Sequence, residues 1–259
     1  MHQRASAQRA YAKRRMSASP QNVGPLQKFG EAHGVKLEPV TEKLVNPVRI
    51  IGMPLMAWLG FAASLLLAGI CLILVGPTLG LFFGGLGLAT TLLPAMSLAG
   101  TRWGDRLIVA GGVSDGIALV WLVAVFFSSV TLMQWLLCYL LLIAWCLALV
   151  GTASLIARFG NEIVTAAIVV VLGMLWLTCP IWSHGERVAS LVVPVHPLFA
   201  INGVLQQLGM WTERPIAYRY LLTLGQDVPY ELPHSILPCT AVHLLIGFVT
   251  FPFGWSRQR

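Results

Sequence analysis

The chain has 259 residues, of which 57% are apolar and only 10% charged, with a mean hydropathy of +0.77 and a formal net charge of +7. A soluble domain carries about 25% charged residues, so this composition excludes an ordinary water-soluble globule. The charge is also unevenly placed, since nine of the seventeen Lys and Arg precede residue 50 and Lys43 is the last lysine.

Residues 1–35 are polar and basic, with Arg4, Arg9, Lys13, Arg14 and Arg15 ahead of the first acid, Glu31. No apolar core follows early enough for a secretory signal. The stretch reads as a disordered basic tail on an anionic membrane surface, where each Lys or Arg contributes roughly 1 kcal/mol; a mitochondrial transit peptide is the alternative. Residues 36–48 alternate Glu38, Glu42 and Lys43 with Val40, Leu44 and Val45, an amphipathic lead-in able to lie along a bilayer.

A polytopic membrane domain is expected over 36–255, with spans at about 50–75, 78–100, 117–133, 136–157, 162–183 and 236–255. The first span stops at Gly76-Pro77, and the short turn makes the second its antiparallel neighbour. Gly76, Gly80 and Gly84 repeat at a spacing of four, a face that lets another helix approach closely. Thr101 to Gly116 forms the one sizeable connector in the middle of the chain. It predicts a short surface helix over 101–110, with Arg102, Asp105 and Arg106 on one face and Trp103 and Leu107 on another. Gly111-Gly112 is read as its stop, and Ser114 or Asp115 as the cap of the next helix.

Residues 117–157 contain no Asp, Glu, Lys or Arg. As one helix they would run about 60 Å against a hydrocarbon core of about 30 Å, so they fold into a hairpin turning near Thr131 to Trp135. Arg158, Asn161 and Glu162 make a tight polar turn into the fifth span, with Asn161 placed to cap it. Placing the basic N-terminus inside puts fourteen of the seventeen Lys and Arg on the inner face, in line with the positive-inside rule. Residues 256–259 are then a second inner end.

The outer segment, 184–235, carries most of the unusual residues. Pro197 opens an apolar stretch to Leu208, and Pro215 opens another to Leu224; both are too short to cross, and read as re-entrant or interfacial helices. His196, Asp227 and His234 form a candidate polar group at the outer face. Cys179 and Cys239 fall near the same face, where a bridge is possible and unpaired packing is preferred. Cys71, Cys138 and Cys146 lie in apolar spans as small hydrophobes.

No P-loop is possible after Lys43, and no metal-ligand motif, Cys-x-x-Cys or nucleophile elbow occurs. No cofactor, catalytic residue, metal or nucleic-acid partner is therefore expected, and the chain is not read as an enzyme. As drawn, the spans hold no acid beyond Glu162 at the edge of the fifth, which argues against an ion-coupled carrier.

The layout is that of an all-α membrane protein with six transmembrane helices, a short inner helix between the second and third, and short re-entrant or interfacial helices before the last. It resembles the type-2 ABC exporter permeases over about residues 36–255. The matching stretches are Gly100-Thr101-Arg102-Trp103-Gly104-Asp105-Arg106-Leu107, by position, and the Asn46-Pro47-Val48 entry. The resemblance implies a coupling role for Arg102, Trp103, Asp105, Arg106 and Leu107 against a separate P-loop ATPase subunit. It also implies a homodimer or a pair with a related permease, among the lipids of a bacterial inner membrane, with both termini cytoplasmic. The mitochondrial inner membrane is the alternative location. The connector lacks the Glu residues usual before the Gly-Thr of that family. The cargo is expected to be hydrophobic or amphiphilic. Two other readings remain open: a membrane-embedded enzyme acting on lipid or glycan at the outer face, and a non-catalytic assembly subunit.

Overall fold

A computed structural model describes residues 49–50, 53–98, 103–183, 185–205 and 232–255, all within one compact unit, Pro47–Arg259. The basic tail, the lead-in, Arg102, Asp227, the expected helix over 215–224 and the last four residues lie outside the described residues. The fold is helical. After a minimal antiparallel pair, β1 (Arg49–Ile50) and β2 (Met53–Pro54), come α1 (Leu55–Val75), α2 (Leu79–Leu98), α3 (Trp103–Val125), α4 (Leu132–Ile156) and α5 (Glu162–Trp182). Two short helices follow, α6 (Glu186–Val192) and α7 (Pro197–Val204), and then α8 (Leu237–Trp255). Five helices, α1 to α5, are long and apolar enough to cross a bilayer. This is the arrangement of a membrane protein, because helices satisfy their own backbone hydrogen bonds where lipid offers no partner.

The expected surface helix over 101–110 is not a separate element. Asp105 and Arg106 lie in the first turn of a single 23-residue helix that runs through Gly111-Gly112 without a break, and the expected caps Ser114 and Asp115 lie inside that helix. Gly112, with Gly116 one turn further on, serves contact rather than termination, while Gly111 faces open space. Only small residues of α1 are buried (Ala57, Gly60, Ser64 and Ala68), and α3 lies against them. A methyl group added at Gly112 would stand 2.7 Å from the Ala57 carbonyl oxygen, and one at Gly116 would collide with Ser64 and the Phe61 carbonyl. Such backbone approach suits helix pairs in lipid, where van der Waals packing replaces the hydrophobic drive. The other faces of α1 expose Leu66, Ile73 and Leu74, as a lipid-facing helix does.

The hairpin turn falls at 126–131, just ahead of the expected position. Thr131 and Gln134 form a capping box: the Gln134 backbone N–H donates to Thr131 Oγ1 at 3.3 Å, and the Thr131 N–H donates to Gln134 Oε1 at 2.8 Å. Asn161 caps α5, its Oδ1 accepting from the Ile163 N–H at 2.9 Å.

The centre is built from α2 and α4. α2 touches α1, α3, α4 and α5, and buries Leu81, Phe82, Leu86 and Leu93. Gly85 leaves room for Trp121 of α3, which lies tilted against Phe82 and donates its indole N–H to the Leu81 carbonyl at 3.3 Å. The three glycines expected to form one packing face divide their work. Gly76 ends α1 at φ 75°, Gly80 sits against Val75 at the end of α1 and Thr78 of the turn, and Gly84 meets α1 further along, at Cys71. On the far side α8 lies along α4, close enough at Gly151 and Gly247 that side chains there would strike the opposing helix.

Candidate functional site

At one end of the bundle the start of α3 meets the end of α4. Arg106 donates from Nη1 to Ser154 Oγ at 3.0 Å, with Glu162 at the start of α5 as its electrostatic neighbour. Asp105 is 3% exposed, Leu107 is half-buried, and Gly104 is open. Of the polar residues expected on a surface knob, Asp105 is thus buried and Arg106 is turned into the mouth of the bundle, while Arg102 lies outside the described residues. α3 starts at Trp103.

At the opposite end, the expected group of His196, Asp227 and His234 does not form a describable cluster. His234 is exposed, and Asp227 is outside the described residues. His196 is fully buried with both ring nitrogens engaged. Nδ1 accepts from the Leu198 N–H at 3.3 Å, capping α7, and Nε2 donates to the Trp176 carbonyl at 2.7 Å. That carbonyl needs the donor because Pro180, four residues on, has no N–H to offer it. Burial pushes the His196 pKa down to about 4; the neighbouring His243 ring acts in the same direction, and the bond to Trp176 opposes both. His196 is a structural plug in α5, locked as the neutral Nε2–H tautomer. The cysteines near this end are both free, Cys239 giving its thiol to the Val195 carbonyl at 3.0 Å.

Between α5 and α8, floored by α4, lies a cleft of about 290 Å³. Trp145 and Thr152 of α4, Leu172 and Trp176 of α5, and His243 and Ile246 of α8 line it. Leu172 and Ile246 are exposed at its edges, so it opens sideways, toward the hydrocarbon of a surrounding bilayer. Its walls are apolar but for Thr152 and His243. His243 is 2% exposed; its Nδ1–H donates to the Cys239 carbonyl at 2.8 Å, and Trp145 packs edge-on at 5.1 Å. Trp145 is fixed in turn by donating its indole N–H to Thr90 Oγ1 at 3.0 Å, and the Thr90 hydroxyl donates to the Leu86 carbonyl. Gly173 permits this arrangement, since a methyl group there would stand 2.5 Å from Thr90. With Nδ1 protonated, Nε2 is the acceptor that remains, and it makes no hydrogen bond among the described residues.

No family model, curated protein or solved structure matches this chain. Its chemistry is therefore read from these residues alone. Among the described residues no group of three His, Cys, Asp or Glu is placed to hold a metal ion.

The structure also corrects the expectation of acid-free spans. Asp115 lies midway along α3, on the outer surface of the bundle, and accepts from the Tyr139 hydroxyl of α4 at 2.5 Å. Tyr139 is stacked on Trp135, which donates to the Ala118 carbonyl at 3.0 Å. The sequence held the signal, a carboxylate followed by twelve positions without a polar side chain, Gly116 to Phe127. It was masked by reading Gly111-Gly112 as a helix end. His243 was visible too, as a lone imidazole deep in an apolar run, but its neighbours come from α4 and α5, more than sixty residues away.

Proposed function

We propose that this protein is the membrane permease subunit of an ABC-type exporter, moving a hydrophobic or amphiphilic cargo with energy from a separate P-loop ATPase subunit. The observation that carries the reading is the laterally open, apolar cleft between α5 and α8, with α8 taken as the sixth span. An apolar molecule can enter it from the bilayer without first crossing the headgroups, as a pocket of this lining suits. On this reading the protein pairs with itself or a related permease in a bacterial inner membrane, with both termini on the Arg106 side.

Coupling to the ATPase uses the Arg102 to Leu107 stretch, in a form suited to a continuous α3. At 1.5 Å per residue, the 23 residues of α3 form a strut of about 34 Å. A push on its first turn passes to α4 through Arg106 and Ser154, and to α1 through the glycine contacts. The test is gentle purification from native membranes with mass spectrometry of the complex. A stoichiometric P-loop ATPase is expected, and Arg106→Ala is expected to cut transport-linked ATP hydrolysis about tenfold or more while complex formation persists. Reproducible absence of an ATPase, or full coupling in Arg106→Ala, overturns the assignment.

A further inference from the structure

We infer that the α4–α5–α8 cleft is a binding site for an apolar molecule bearing a single hydroxyl-type donor, held by Nε2 of His243. The inference names the cargo class of the permease reading, but binding to the cleft requires no transport. Three features point to this ligand. The cleft volume of about 290 Å³ is roughly twice the 150 Å³ of an apolar cavity that binds benzene, which suits a body of about a dozen carbon atoms. The walls offer that body Leu149, Leu172, Trp176 and Ile246, and the opening past Leu172 and Ile246 admits it from the side.

The third feature selects the head group. His243 is almost wholly buried, yet its Nε2 is left without a hydrogen bond among the described residues while Nδ1–H is fixed on Cys239. His243 lines the cleft and its Nε2 is not among the fully buried atoms that lack a partner, so the nitrogen stays reachable; a ligand O–H gains a hydrogen bond there that apolar lipid cannot supply. The surroundings keep the ring from turning to another partner: Trp145 holds its face edge-on and is itself fixed by Thr90. The neighbouring indole is thus unavailable as a donor. An alcohol or a protonated carboxylic acid on an apolar chain satisfies the acceptor, whereas an alkane or an ether of the same length brings no donor.

The test uses the full-length protein in detergent and in lipid nanodiscs, with a photoactivatable twelve-carbon alcohol as probe and peptide mass spectrometry as readout. The same chain as an alkane and as a methyl ether gives the controls. Labelling is expected on α4, α5 and α8 around the cleft, competed by dodecanol about tenfold more effectively than by the alkane or the ether. Leu172→Trp, which fills the exposed edge of the cleft, is expected to abolish labelling by all three. His243→Leu is expected to bring the alcohol down to the level of the ether. The comparison of alcohol with ether needs no variant, so it decides the matter even if His243→Leu does not fold. Equal competition by all three, or labelling elsewhere on the bundle, overturns the site. Retention of the alcohol in lipid nanodiscs as well as detergent separates a transported guest from one displaced by bulk phospholipid; loss in lipid also overturns it. An alcohol-selective cleft in a protein that carries no ATPase leaves this site standing and removes the permease reading.

Discussion

Replacing His196 by Ala removes the only described donor to the Trp176 carbonyl that Pro180 has stripped of its helical partner. An unsatisfied buried carbonyl costs about 1–3 kcal/mol. Losing the ring contacts to Trp176 at 5.2 Å and Phe199 at 5.5 Å adds about 0.5–1.5 kcal/mol each. The single variant should therefore lose about 2–6 kcal/mol. In a Pro180→Ala background residue 180 regains an N–H aimed at the same carbonyl, so the carbonyl part of the loss disappears and the two changes couple by about 1–3 kcal/mol. Equilibrium unfolding of the four proteins of the cycle in mixed detergent micelles measures this. Additivity within about 0.5 kcal/mol refutes the account. The same residue gives a pH signature. Its folded pKa of about 4 lies below the ordinary 6.5, so the unfolded chain takes up the proton first as pH falls. The stability is fully present above pH 6.5 and is lost toward pH 4, at about 1.4 kcal/mol per unit. His196→Gln, which keeps a donor but does not titrate, should flatten that slope.

The helix crossing of α1 and α3 predicts opposite outcomes for two glycines. Gly112→Leu should destabilise the bundle by about 3 kcal/mol or more by forcing the backbones apart, whereas Gly69→Ala, with nothing within 4 Å, should stabilise it by up to about 1 kcal/mol. Melting of both variants in detergent checks the pair. Asp115, on the outer surface midway along α3, should react with a hydrophobic carbodiimide in intact membranes, while Asp105, at 3% exposure, stays unmodified. Peptide mapping reads the modified site, and labelling of Asp105 in preference to Asp115 contradicts the placement. Tyr139→Phe, which removes the phenol donated to Asp115, should change the rate of that modification without unfolding the protein.

Much of the helical layout was legible because lipid solvation is a local rule. A run of apolar residues as long as 132–156 has few other stable conformations, whatever surrounds it, and Thr131 with Gln134 and Asn161 with the Ile163 N–H mark their helix starts by short-range hydrogen bonding. The candidate site was far less legible. His196, read as a member of an outer-face polar group, acquires its role from Trp176 and Pro180 on another helix.

The sequence by itself determined where most of the apolar helices lie, the third excepted, that the chain is membrane-like in composition, and that it carries no P-loop, metal motif or nucleophile elbow. Only the tertiary structure decided what the glycines and polar residues inside those helices do. Gly111-Gly112 can end a helix or carry one across a neighbour's backbone. The choice fell to contact because α1 presents Ala57, Gly60 and Ser64 at that depth, and with it Asp115 moved from a cap into the middle of a span. The same holds for His243: an imidazole in an apolar run is ambiguous until Cys239 fixes one nitrogen, Trp145 packs against the ring, and the gap between α5 and α8 makes the residue part of a cleft wall. Hydropathy is a property of the segment, whereas a site is a property of which segments meet.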